Sequence, residues 1–189
     1  MAQKEVGYLV SDKREKIIFY ENTSGEEVRS NNNVLKGDVN LTAQFVHYFN
    51  ADGKHKKFKQ AEVAEIKFDN KEYLKLPIGS FGAVRLQEVI AYNDDYILTN
   101  YYHKAFYFFV FEKEEMEMEE KLQNHSNNKK KDMKLLEKKI EPYFNNCPEL
   151  IARIEKGIED SNYKREVIDD VIILKNNLFR YVSNFQCTN

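Results

Sequence analysis

The sequence predicts an α+β protein: a β-rich meander, forming a twisted sheet or partly open barrel, followed by a three-helix C-terminal subdomain. Three observations predict it. Short β-branched and aromatic runs, punctuated by Gly, Asn and Asp, fill residues 5–111. The composition then turns to charge at "EKEEMEMEEKLQNHSNNKKKD". From Met133 onward, apolar residues recur at helical spacing. On this reading residues 1–113 are a β-rich domain, 114–130 a charged connector and 131–189 a helical subdomain.

Taken in order, "VGYLVS" and "KIIFYE" are strands joined by a polar turn at Asp12-Lys13-Arg14. "ENTSGEEVRSNNN" carries loop chemistry without periodicity. "LTAQFVHYF" and "HKKFKQ" flank Asp52-Gly53, a tight-turn signal because glycine accepts positive φ without steric cost. "AEIKFDNKEYLKL" reads as a second hairpin turning at Asp69-Asn70, with Leu74, Leu76 and Ile78 at strand period. Asn93-Asp94-Asp95 breaks the next run, and "YILTNYY" and "AFYFFVF" follow, joined around His103-Lys104. In the last third, Leu136, Ile140, Tyr143 and Phe144 mark the first predicted helix. Pro148 suits the opening turn of the second, where its missing N–H costs nothing, and Gly157 reads as its stop. A long third helix is predicted from about Tyr163 to Val182, with a stripe of Val167, Ile168, Val171, Ile172, Leu174, Leu178, Phe179 and Val182.

With 189 residues, 42% hydrophobic and 32% charged, the chain has a globular composition and enough length to bury a core without metals or disulfides. Twenty-nine basic side chains face thirty-one acidic ones, a net charge of −2, which leaves no positive field to condense on phosphates and argues against a nucleic-acid partner. No run approaches the length of a membrane helix. The opening "MAQKEVGYLV" is not a basic segment followed by an apolar core. It fits either a cytoplasmic chain or a mature form with Met1 placed at a cleavage point.

Three stretches, "GYLVS…KIIFYE", "AEVAEIKFDNKEYLKL" and the tail "YFNNCPELIARI" ending at "NFQC", carry a resemblance. Together they resemble a family of uncharacterised bacterial envelope proteins with a signal peptide, a β-rich N-terminal region and a helical tail that begins Cys-Pro-Glu. The resemblance implies a periplasmic or secreted setting and a non-enzymatic role, and brings no activity with it.

Cys147 and Cys187 are the only cysteines. In an oxidising compartment two cysteines commonly pair, and closing a loop of about forty residues stabilises a fold by about 4 kcal/mol. A predicted third helix running to Val182 works against the pairing. Its end would stand about 30 Å from the preceding turn at 1.5 Å per residue, whereas a bridge needs Cα atoms within about 7 Å. In a reducing compartment the two remain free thiols, and the sequence leaves both alternatives open. A reactive Cys147 at a helix N-terminus is a minor reading, because no histidine is near it in sequence. His47, His55, His103 and His125 lack metal-ligand spacing, so neither metal nor cofactor is expected.

Within "YYHKAFYFFVF", Phe106, Phe108 and Val110 share one strand face and Tyr107, Phe109 and Phe111 the other, which predicts a central strand covered on both sides. Were one face open, Tyr101, Tyr102, Tyr107, Phe109 and Phe111 would form an aromatic partner-binding surface. "EKEEMEMEE" reads as a solvated charge run rather than a cation site. The expected function is a non-enzymatic binding module for an unknown protein or small ligand. The alternatives are an enzyme with its site between the two halves, using His47, His103, Asp94 and Asp95, and a cytoplasmic protein with free thiols.

Overall fold

Strand accounts for 45% of the structure and helix for 20%. The structure, a computed structural model, describes residues 3–188 apart from 26, 31–32, 36, 43, 79–82, 104, 125–127, 162, 164, 169–170 and 175–177. The chain divides into two compact units, Met1–Gln87 and Glu88–Asn189.

The first unit is antiparallel. Strand β1 (Glu5–Ser11) lies between β2 (Lys16–Tyr20) and β8 (Val63–Phe68), and β8 pairs with β9 (Lys71–Pro77). A two-stranded ribbon, β3 (Val28–Ser30) and β4 (Asn33–Leu35), forms where loop chemistry alone was expected. Strand β6 (Phe45–Phe49) pairs with β2, with β5 (Asn40–Leu41) and with β7 (His55–Lys59). The predicted turns hold. Asp69 and Asn70 have φ of 49° and 59°, the backbone of a two-residue hairpin turn, and Gly53 has φ of 70°. The Ser11 hydroxyl accepts from the Lys13 and Glu15 N–H groups and closes the β1–β2 turn. Leu9, Phe19, Val46, Val63 and Ile66, all fully buried, form the centre of this core.

In the second unit, β10 (Val84–Tyr92, entering from the first), β11 (Tyr96–His103), β12 (Ala105–Glu112) and β13 (Met118–Asn124) form an antiparallel meander. Asn93 closes the first turn. Its side-chain oxygen accepts from the Asp95 and Tyr96 N–H groups, and its amide donates to the Tyr143 carbonyl. Helix α1 (Lys129–Leu135) is capped by the Asn128 side chain and runs into a wider turn over Leu136–Ile140. Helix α2 (Pro148–Glu159) opens on the proline as predicted; Gly157, expected as its stop, is buried within it. Leu136, Ile140, Phe144, Leu150, Ile154 and Ile158 pack with Ile90, Leu98, Phe108 and Val110 of the sheet. A final strand, β16 (Phe185–Gln186), runs parallel to β10.

The expected three-helix subdomain is corrected here. The predicted third helix does not form. Its first half is a hairpin of β14 (Arg165–Ile168) and β15 (Val171–Leu174), in register Ile168↔Val171 to Arg165↔Leu174. Parts of the predicted span, including 169–170 and 175–177, lie outside the described residues. The physical reason is β-branching: Val167, Ile168, Val171, Ile172 and Ile173 lose side-chain freedom in a helix and pack well in a strand. The expected connector is also partly ordered pairing, because residues 118–124 form β13 on the edge of the meander. Among the described residues no helix is long and apolar enough to cross a membrane.

One position in β1 tests the first unit's packing. Gly7 sits where the β1–β2 register shifts. A methyl group there would overlap the Lys67 carbonyl oxygen and stand 2.7 Å from the Phe68 Cβ. Gly7→Ala is expected to lower stability by about 2 kcal/mol through overpacking in urea unfolding. A change within about 0.5 kcal/mol, the range of neutral surface substitutions, would contradict the close approach.

Candidate functional site

The most unusual polar arrangement lies in the β6–β7 hairpin. The apolar run of β6 buries Val46, His47, Tyr48 and Phe49 together, leaving His47 6% exposed. The register sets His47 opposite Lys57 and Phe49 opposite His55, so the two histidines are diagonal neighbours on one face. His47 Nδ1 and His55 Nε2 are 3.1 Å apart, with ring centroids at 5.3 Å and planes within 7°. Coplanar rings with those spacings meet edge to edge, nitrogen facing nitrogen. Phe45 lies edge-on to His47, Phe49 flanks His55, and the Lys57 ammonium stands over the Phe45 ring.

That geometry holds one proton between two neutral imidazoles. His47 Nε2 is buried without a hydrogen-bond partner. If His55 were the donor, His47 would have to carry its proton on Nε2, a buried N–H with no acceptor. With His47 Nδ1 as donor, Nε2 holds only a lone pair, the cheaper of the two orphans. A second proton has no good place. Burial, first, and then the charges of His55 and Lys57 push His47 below the ordinary histidine range. A chelated cation needs both lone pairs to converge on a point off the line joining the nitrogens, and these face each other along it. Among the described residues, no group of three His, Cys, Asp or Glu side chains is placed to hold a metal.

The other sequence candidates fall elsewhere. Asp94 and Asp95 lie in the turn before β11 and His103 at its far end, so the strand's eight residues hold them roughly 25 Å apart at 3.3 Å per residue. The side chains of His103, Tyr102 and Tyr107 lie outside the described part of the structure, as does His125. Phe109 and Phe111 are buried, at 1% and 0% exposure, and Tyr101 is half-buried, so the two phenylalanines offer no surface to a partner. Cys147 and Cys187 are joined in a disulfide with Cα atoms 5.6 Å apart. Comparison with protein-family models, curated proteins and solved structures finds no match to this chain.

A buried carboxylate is the site residue that helical periodicity hid. Asp132, fully buried in the first turn of α1, accepts from the Tyr163 hydroxyl at 3.0 Å, which also lies 3.3 Å from the Ile158 carbonyl. Burial, then the Asp132 charge, pushes the Tyr163 phenol well up. This contact holds the start of α1 to the end of α2. Its only sequence signal was an aspartate near a helix N-terminus, which by itself indicates capping.

The histidine pair makes stability pH-dependent. A folded-state pKa below the unfolded value means the unfolded chain binds the extra proton first. Stability is therefore full above about pH 6.5, the ordinary histidine value, and falls as the pH drops below it. The urea midpoint is expected to fall between pH 8 and pH 5. In His47→Phe, which keeps an aromatic ring in the core, that fall should shrink. An equal fall in both proteins would show that His47 contributes nothing to it.

Proposed function

We propose that this chain works in an oxidising compartment, the periplasm or the extracellular space, as a non-enzymatic binding module whose partner is a protein or small ligand. The observation that carries the reading is the Cys147–Cys187 disulfide. Both cysteines are buried, at 5% and 6% exposure, and belong to the core that α2 forms with the β10–β12 strands. Cys147 immediately precedes α2, and the Cys187 N–H donates to the Tyr92 carbonyl beside β16. The bond thus ties a helix start to the last strand across a sequence separation of 40. Bonds of this kind persist in secreted and periplasmic proteins and are rare where thiols are kept reduced.

The non-enzymatic part of the reading is supported by how the titratable groups are used. His47 and His55 engage each other, Asp132 engages Tyr163, and Asp94 and Asp95 lie in the turn before β11 while His103 lies at its far end. A catalytic acid or base needs a free lone pair or proton within reach of a substrate.

Three measurements test the reading. Thiol titration of protein taken from its producing cell, denatured without reductant, is expected to find no free thiols; two would overturn the oxidising compartment. Loss of the bond in Cys147→Ala/Cys187→Ala should cost about 4 kcal/mol in urea unfolding. For the role, cells lacking the protein are complemented with His47→Gln, His103→Gln, Asp94→Asn or Asp95→Asn. Each is expected to restore the phenotype. A folded variant that fails while wild type succeeds would place that residue in a reaction and overturn the non-enzymatic role.

A further inference from the structure

Among the described residues, β7 pairs only with β6 and β13 only with β12, so each presents one open edge. The two edges carry opposite charge. Lys54, Lys56, Lys57 and Lys59 are exposed on and beside β7. Glu114, Glu115, Glu117 and Glu119 are exposed on β13 and in the turn before it, and Glu120 is half-buried. Charge on an edge ordinarily serves to repel a second strand. Here it does so only between like edges: two β7 strands would oppose lysines to lysines, and two β13 strands glutamates to glutamates. The unlike combination is attractive.

We propose that the β7 edge of one copy of this chain docks antiparallel on the β13 edge of a second copy. With Phe58 set opposite Met118, Lys59 faces Glu117, Lys57 faces Glu119 and Lys56 faces Glu120, with His55 opposite Lys121. Sliding the strands by one residue either way removes most of these matches, setting Phe58 against Glu117 in one direction and Lys56 against Lys121 in the other. A slip of two sets Phe58 against Glu120 and Lys57 against Lys121 in one direction, and in the other requires Glu115 and Met116, which precede β13, with Met116 at φ of 55°. Glu119 is the extra residue of a bulge in β13, because the register passes from Phe111↔Met118 to Val110↔Glu120; it has no opposite residue on β12, and the docked ladder has to accommodate the bulge there. Existing ion pairs do not hold the charges away. Lys59–Glu62 has side chains 69% and 57% exposed, and Lys139–Glu120 has 48% and 24%. The exposed Lys59–Glu62 pair exchanges at little cost, while Glu120 would exchange or share its Lys139 contact. Because the two patches differ, each copy carries one edge of each kind, so a contact leaves a second pair of edges available for a further contact.

The inference rests on the interaction-module reading and names its partner as a second copy. The test uses the full oxidised chain, with sedimentation velocity at 20 mM and 500 mM salt. Association is expected at low salt and its loss at high salt. Lys56→Glu/Lys57→Glu/Lys59→Glu alone and Glu117→Lys/Glu119→Lys/Glu120→Lys alone should each stay monomeric. Mixed in equal amounts they should associate again, because each supplies the edge the other now needs. Wild type that is monomeric at low salt, or association that either reversal leaves intact, would overturn the proposal. So would a mixture of two folded variants that stays monomeric. None of these outcomes bears on the thiol titration or the complementation, so the binding-module reading stands or falls separately.

Discussion

Strand β12 carries large apolar side chains on both faces, and the second unit is arranged around keeping them dry. Phe108 and Val110 point to one side and Phe109 and Phe111 to the other, and all four are buried. A strand of this kind cannot lie at the surface of a sheet. It takes the middle of the meander, with β11 and β13 on its flanks, and the helices α1 and α2 close over the Phe108 side. The helices are short, so they contribute a few large side chains each rather than a long stripe. Phe179 adds its ring edge-on to Phe108 at 4.7 Å between centroids. The disulfide and the parallel pairing of β16 with β10 then hold the end of the chain against the same core.

Helical cover of a sheet needs polar ties, because helix ends leave backbone groups without partners. Asn93 supplies one, joining the β10–β11 turn to the Tyr143 carbonyl where the chain turns between α1 and α2. The Lys113 ammonium braces that same turn from the β12 side by donating to the Asn93 carbonyl. Asp132 with Tyr163 supplies a second tie to the helices, at their other end. Each is buried or partly buried, so its loss would leave a polar group unsatisfied in a dry place, which costs more than the bond itself is worth. These contacts fix where the helices sit; apolar burial alone would permit sliding.

Much of this was legible from the sequence where the signal was local. Asp52-Gly53 and Asp69-Asn70 specify their turns through backbone conformations few residues accept, and the two-faced apolar strand announced its own burial. The third helix failed because Val167, Ile168, Val171 and Ile172 satisfy two periods at once. They fall on one helical face, and they also form two short strands, β14 and β15. β-branching decides between these readings, and spacing alone does not carry that information. Without that helix, the distance argument against the Cys147–Cys187 bond also disappears. The charge of 114–130 hid a strand in the same way, because a strand at an edge can be charged along its solvent side without losing its ladder. The histidine pair was out of reach for a different reason: residues 47 and 55 become neighbours only once the β6–β7 register is laid out from the Asp52-Gly53 turn.

That register links the two unusual features of the β6–β7 hairpin. A one-residue slip of β7 against β6 would turn His55, Lys57 and Lys59 away from the His47 face and toward the core. The nitrogen-to-nitrogen contact of His47 with His55 forms in one register only, so a buried polar group that adds little net stability still discriminates against the slipped pairings. The same constraint acts on the open side of β7. With Phe58 turned toward the core of the first unit and Lys57 and Lys59 on the other face, the strand offers its edge in a single charge pattern. An edge held in one register recognises a complementary strand more selectively than an edge free to slide, because each wrong alignment brings like charges or an apolar–charged pair into opposition. The docking proposed for the β7 edge therefore depends on the register that the histidine contact inside the hairpin selects.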